Sequence, residues 1–154
     1  MLNNYLAVII CNHSILIAAI IGVVRFKSIS RDFYPFLFFV WAGLANDSLS
    51  LALIMSGGSN TVNSNIYVLL ELALVLFLFY KWNGSAARKY YVLAGIGLAV
   101  WIADNVLIND IRDNNALFRV FYSFVIVFLS IDQVNKMLVF EKRALRKNAM
   151  FIIC

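Results

Sequence analysis

Five stretches of almost uninterrupted apolar residues constrain this chain more than any other feature. They cover residues 5–24, 34–55, 66–82, 91–108 and 117–138. A helix of roughly 20 apolar residues crosses the hydrocarbon core of a bilayer, where each backbone amide must find its partner inside the helix. Because 63% of the 154 residues are hydrophobic and only 14% are charged, the sequence predicts an all-α, polytopic transmembrane bundle of five spans.

The positive charges lie on alternate connections between these stretches. Eleven of the 13 Lys and Arg residues lie at or after the ends of the first, third and fifth stretches, and only Arg112 and Arg119 lie in or next to the other two connections. This is the positive-inside pattern. It predicts an N-terminus outside the cell, a cytoplasmic C-terminal segment and contact of the basic side with anionic lipid headgroups. The net charge of +5 is thereby explained without a nucleic-acid partner.

The domain organisation predicted from this pattern is a transmembrane bundle over residues 1–140, followed by a basic segment over residues 141–154. The first stretch has no Lys or Arg before it, so we expect a retained span rather than a cleaved signal peptide. The segment "RALRKNAMFIIC" allows two interpretations. It is either a cytoplasmic helix leaving the membrane or the start of a sixth span, and the renewed apolarity after a basic turn favours the second.

Polar residues inside the spans lie at similar depths. At about 1.5 Å per residue, His13 and Asp47 fall about 12 Å from the outer ends of their helices, and Glu71 and Asp104 about 7 Å. A charge facing lipid costs at least ~2.5 to 3.5 kcal/mol, so we expect these side chains to face one another. The predicted polar pocket opens outward and is lined by His13, Asn46, Asp47, Glu71, Asp104 and Asn105. Its supporting residues are Asn12, Asn65, Tyr67, Trp41 and Trp101.

Simpler roles stay open for several of these residues. Asn46 and Asn105 can act as hydrogen bonds between helices, worth about 0.6 kcal/mol each. Asn65 can cap the third span. Asp132, near the basic side, is expected to pair with Lys136 one helical turn later. The small residues of the pairs Ala18 with Gly22 and Gly95 with Ala99 predict faces for close helix packing.

No metal or other cofactor is predicted. The chain contains a single histidine, His13, and two cysteines, Cys11 and Cys154, that form neither a disulfide framework nor a metal-ligand spacing. Catalysis by an intramembrane enzyme would depend on His13 and the carboxylates alone, without a nucleophile arrangement. No catalytic residue is therefore predicted, and an enzyme is the third interpretation.

Two other functions rank higher. A ligand-sensing or signal-relaying membrane module agrees with the short connections, the outward polar pocket and the basic segment at the inner face. A small transporter or channel subunit agrees with the intramembrane carboxylates. It also agrees with the similar segments "WAGLAND" and "WIADN". These segments either reflect a repeat of a helix pair or are similar by chance.

Three short features of the sequence resemble those of known proteins. The segment "NIYVLLE", the aromatic span ends and the basic turn before "NAMFII" resemble an uncharacterised group of bacterial membrane proteins with roughly seven spans. Similar bundles serve as input regions of sensor kinases. The resemblance implies a bacterial inner membrane, one or two further spans, and structural or pocket roles for Asn65, Tyr67 and Glu71. It implies no known activity. Separately, we expect a membrane or cytoplasmic protein partner or a homo-oligomer.

Overall fold

The described part of the molecule is entirely helical. A computed structural model describes residues 14–83 and 87–140, within which there are five α-helices and no strand. The helices are α1 Ser14–Val24, α2 Tyr34–Met55, α3 Thr61–Asn83, α4 Ala87–Ile102 and α5 Leu117–Phe140. A π-helical turn over Ala103–Ile108 extends α4. The predicted all-α class is confirmed.

Four of these helices are long and apolar enough to cross a membrane. The candidate spans are Arg31–Met55, Thr61–Asn83, Ala87–Ile108 and Leu117–Leu138. The first predicted span is described only as the shorter apolar helix α1, because residues 5–13 lie outside the described residues. Large apolar side chains cover the outside of the bundle, with Leu107 exposed by 76% and Phe128 by 70%. Such a surface suits a lipid bilayer.

Helix α3 lies at the centre of the bundle and packs against α2, α4 and α5, while α1 packs against α2. The buried core joins Leu72 and Val75 of α3 to Val125 and Leu129 of α5. Helix α4 approaches α3 closely at Gly97, where an added Cβ would collide with the Leu72 side chain. The close packing of α4 therefore occurs at Gly97 and not at Gly95, which has open space around it.

The ends of α2 are determined by its sequence. Pro35 stands in the first turn, where its missing N–H costs no helical hydrogen bond. At the other end Gly57 has φ +80°, and the Gly57 and Gly58 amides donate to the carbonyls of Ile54 and Leu53, both at 3.0 Å. This is a Schellman motif, which needs a left-handed residue. The predicted and observed bounds of α2 agree for this reason.

Helix α3 begins earlier than predicted, at Thr61. The Asn60 carbonyl accepts from the Ser64 amide at 3.0 Å, and the Ser59 hydroxyl accepts from the Thr61 amide at 3.3 Å. The prediction of Asn65 as the N-cap is therefore wrong, because Asn65 lies in the second turn and binds a different segment.

Consecutive helices are antiparallel, so the bundle has two distinct ends. We call the end with the connections 56–60 and 109–116 the loop end. The opposite end, with the connection 25–33 and the last turns of α3 and α5, is the basic end. Most of the intramembrane polar residues described below lie in the half toward the loop end.

Candidate functional site

A group of five polar side chains lies between α2, α3 and α5 in the half of the bundle toward the loop end. We call this group the polar core site: Asp47 from α2, Tyr67 and Glu71 from α3, and Arg119 and Tyr122 from α5. The Tyr67 and Glu71 side chains interact with each other. Glu71 also interacts electrostatically with Asp47, Arg119 and Tyr122. Three helices thus contribute charged or hydroxyl groups to one place.

Helical spacing brings these residues together. Tyr67 and Glu71 are four residues apart on α3, and Arg119 and Tyr122 are three apart on α5, so each pair lies on one helix face. Gly43, one turn before Asp47 on α2, makes room for the phenol. A Cβ at Gly43 would lie 3.3 Å from the Tyr67 hydroxyl and 3.2 Å from Ile15. The small residue on α2 therefore lets α3 bring its tyrosine close.

Several groups of the polar core site have hydrogen-bonding capacity that the described residues do not use. Glu71 and Arg119 interact without a direct ion pair. The Arg119 Nε–H is buried and has no acceptor among the described residues. Within the same residues no donor reaches the Asp47 carboxylate, whose interactions are electrostatic ones with Tyr67 and Glu71. Glu71 thus interacts with a cationic donor on one neighbouring helix, Arg119, and with a second carboxylate on another, Asp47.

Asp104 has a different role from the other predicted pocket residues. Its side chain is 0% exposed, and its Oδ2 accepts from the Phe118 amide at 2.8 Å. Its Oδ1 accepts from the Asn109 side chain at 2.9 Å. Because Phe118 lies in the first turn of α5, the Asp104 carboxylate, from the π-helical turn after α4, caps the N-terminus of a neighbouring helix, where a negative charge is favourable.

Asn105 is also buried, and it ties the π-helical turn to the following loop. Its amide donates to the Trp101 carbonyl at 3.0 Å, and its carbonyl accepts from Asn115 at 2.9 Å. Asn115 in turn donates to the Asp110 carbonyl at 2.9 Å. Asn105 therefore binds its own helix and the following loop, whereas the predicted alternative was a hydrogen bond between two helices.

Asn65 connects α3 to the same loop. Its amide donates to the carbonyls of Ile111 and Asp113, both at 2.9 Å, and its own backbone carbonyl accepts from the Trp101 indole at 2.8 Å. Its side-chain carbonyl accepts from Arg119 at 3.2 Å. We call the contacts of Asn65, Asp104 and Asn105 with residues 109–118 the loop clasp. Arg119, which donates to Asn65, connects the loop clasp to the polar core site.

Asn46 lies in a third group, between α2 and α3 at the loop end. Its carbonyl accepts from the Asn63 amide at 2.8 Å. The same Asn63 amide group lies 3.2 Å from the Ser50 hydroxyl and 3.1 Å from the Asn60 side-chain oxygen. The contact of Asn46 with Asn63 is a hydrogen bond between two helices.

Trp41, a predicted supporting residue, donates to the Ala19 carbonyl at 3.3 Å and so holds α1 against α2.

Asp132 lies at the basic end, as expected from its sequence position. Its carboxylate accepts from both Lys89 and Lys136 at 2.9 Å. Lys136 also donates to the Asn83 side-chain oxygen at 2.9 Å. The predicted pairing of Asp132 with Lys136 is confirmed, and Lys89 extends it to α4.

The structure therefore separates the predicted pocket residues into groups. Asp47, Glu71 and the supporting Tyr67 come together, whereas Asn46, Asp104, Asn105, Asn65 and Trp101 lie in the neighbouring networks. His13 and Asn12 lie outside the described residues. Sequence reasoning missed Arg119 and Tyr122, although their spacing of three residues at the start of a span was a usable signal. Among residues 14–83 and 87–140, no group of acids, His and Cys is arranged to hold a metal ion.

Comparison with protein-family models, with characterised proteins and with solved structures found no match to this chain. The resemblance to bacterial seven-span proteins therefore stays a prediction. What the helices themselves support is a multi-span helical protein suited to a bilayer.

Proposed function

We propose that this chain is a sensor module of a bacterial inner membrane, with the polar core site as its receptor for a small polar ligand. In this proposal the loop end faces outside and the basic end faces the cytoplasm. The observation that carries the proposal is the convergence of Asp47, Glu71 and Arg119 from three helices. Charged groups inside a membrane are costly, and they are a functional-site hypothesis by default.

The unused bonding capacity of the site indicates the kind of ligand. Arg119 offers an N–H donor, and Asp47 offers a carboxylate acceptor. A small molecule that carries both an acceptor and a donor satisfies the two at once. The buried Arg119 N–H without an acceptor costs about 1–3 kcal/mol, so an acceptor on the ligand favours binding.

Arg119 supplies the route from binding to signalling. Its Nη2 donates to the Ser64 hydroxyl at 2.9 Å and to Asn65 at 3.2 Å, and Asn65 holds the 109–116 connection. A ligand that draws the Arg119 guanidinium toward the polar core site weakens these bonds. Such a ligand therefore has a different affinity for the arrangement of α5 in which the bonds are formed than for the arrangement in which they are broken. Such a difference in affinity is what a relay requires.

A test uses the chain in lipid nanodiscs with N-acetylethanolamine, whose amide and hydroxyl supply both donor and acceptor. We expect millimolar solute to slow amide hydrogen exchange in α3 around Glu71 and to alter exchange in residues 109–116. Both effects should disappear in Asp47→Ala, which removes the proposed acceptor, and persist in the matched control Asp113→Ala, which removes an exposed acid of the connection. Exchange that is unchanged in both segments would contradict the proposal.

A small transporter is the second candidate, and the electrostatic interaction of Asp47 with Glu71 favours it. Two interacting carboxylates in a membrane suit ion coupling. Uptake into proteoliposomes separates the two functions. Solute accumulation that depends on a proton or sodium gradient and is lost in Glu71→Gln indicates transport, whereas binding without accumulation indicates a sensor.

A further inference from the structure

An apolar cavity continues the polar core site toward the basic end. It has a volume of about 180 Å³ and lies between α2, α3 and α5. Phe39, Leu78 and Ile126 line it, and Tyr122 and Ser130 contribute its only polar side chains. Tyr122 and Ser130 are eight residues apart on α5, or about 12 Å along the axis. We call this elongated space the apolar slot.

Tyr122 joins the apolar slot to the polar core site, since it lines the first and interacts electrostatically with Glu71 in the second. The same helix faces continue through both. On α3, Leu74 and Leu78 follow Glu71 at helical spacing, and on α5, Ile126 follows Tyr122 one turn later. The interface of these helices is therefore polar toward the loop end and apolar toward the basic end.

We propose that the ligand is a single-chain amphiphile, with an uncharged head that carries a hydrogen-bond donor and acceptor and an alkyl chain of medium length. The head occupies the polar core site, where it complements Arg119 and Asp47, and the chain occupies the apolar slot. A dry apolar cavity of about 150 Å³ binds benzene, so 180 Å³ suits one short chain rather than the two chains of a bilayer phospholipid. This inference rests on the proposed function, because it names the ligand class of the same site.

A photoreactive probe tests the placement of the chain. The probe is N-octanoylethanolamine with a diazirine at the end of its chain, added to the protein in nanodiscs, with adducts located by mass spectrometry. We expect adducts on Phe39, Leu78 or Ile126 that unlabelled N-octanoylethanolamine displaces. Adducts spread over lipid-facing side chains such as Ile96 and Phe128, without displacement, would overturn the inference. This measurement needs no substituted protein.

A pair of substitutions on α5 gives a second test. Ile126→Trp fills the apolar slot, and Ile131→Trp adds the same side chain at a position that is 52% exposed on the outside. The Trp side chain at position 126 takes the space of the alkyl chain, so we expect binding of the probe to weaken by roughly tenfold or more. The yield of displaceable adduct should fall by the same factor in Ile126→Trp and stay unchanged in Ile131→Trp. Equal adduct yields in the two variants would count against the apolar slot.

The two proposals fail in different ways. If N-acetylethanolamine alters hydrogen exchange around Glu71 but the octanoyl probe does not enter the apolar slot, the inference about the chain is wrong and the receptor site stands. If neither compound acts at these residues, both proposals are refuted.

Discussion

Replacing Asp104 by alanine is expected to destabilise the bundle strongly. The carboxylate is 0% exposed and accepts from the Phe118 amide at 2.8 Å. Alanine leaves that buried N–H without an acceptor, which costs about 1–3 kcal/mol. It also removes a negative charge from a helix N-terminus, a partly buried interaction worth up to ~2 kcal/mol. The expected net loss is roughly 2–4 kcal/mol in the free energy of unfolding. It is smaller than the sum of the two contributions because the alanine variant no longer has the cost of burying a carboxylate.

Two companion variants make this prediction specific. Asp104→Asn keeps one oxygen for the Phe118 amide, so we expect a smaller loss of about 1 kcal/mol. Asp113→Ala removes the same charge from an exposed position in the adjacent connection and should change the stability by less than about 0.5 kcal/mol.

The assay is equilibrium unfolding in mixed micelles of dodecyl maltoside and increasing sodium dodecyl sulfate, followed by circular dichroism. If Asp104→Ala unfolds at the same midpoint as the unsubstituted protein and as Asp113→Ala, then the carboxylate does not stabilise α5 and the capping explanation is wrong. If Asp104→Ala does not fold at all, Asp104→Asn still measures what the negative charge contributes at this helix N-terminus, and an unchanged midpoint in that variant would contradict the charge contribution.

Three further predictions concern other parts of the bundle. Asn65→Ala removes two hydrogen bonds to the carbonyls of Ile111 and Asp113, so amide exchange in residues 109–116 should accelerate, whereas Asn114→Ala, at an exposed position, should leave it unchanged. Gly97→Val should lower the unfolding midpoint because any Cβ at this position collides with Leu72. Gly95→Val, whose side chain meets open space, should leave the midpoint unchanged. Equal midpoints for the two variants would contradict the packing of α4 on α3. Asp132→Asn breaks ion pairs whose side chains are 36–44% exposed, so it should cost no more than about 1 kcal/mol, with a difference that shrinks in high salt; a larger, salt-independent loss would argue against an exposed ion pair.

The fold class was predictable because the requirement to satisfy backbone hydrogen bonds in lipid leaves helices as the only way for such apolar runs to cross a bilayer. The bounds of α2 were predictable because Pro35 and Gly57 act locally. The start of α3 was not predictable, because residues 61–65 look like part of a polar loop. In the structure the polar side chains of this segment bind partners that are distant in sequence, namely Asn46 and the carbonyls of Ile111 and Asp113.

The candidate site was only partly predictable for a related reason. Depth along a helix follows from residue number, and it predicted that Asp47 and Glu71 face one another; in the structure these two carboxylates interact electrostatically. The direction around the helix also matters, and the π-helical turn at Ala103–Ile108 aims Asp104 at the start of α5. Arg119 was interpreted as a loop-side charge, since nothing in the sequence indicates that it reaches Ser64 and Asn65 across the bundle.

The central claim is that Asp47 and Glu71 line a polar site between helices that is reached from outside, while Asp104 is sealed in the loop clasp. Labelling of single cysteines tests it directly, in a background with Cys11→Ser and Cys154→Ser. A membrane-impermeant maleimide added outside intact cells is expected to label Asp47→Cys and Glu71→Cys. It should not label Asp104→Cys, or Leu70→Cys on the lipid-facing side of α3. If positions 47 and 71 stay unlabelled, or if position 70 reacts equally, the account is contradicted.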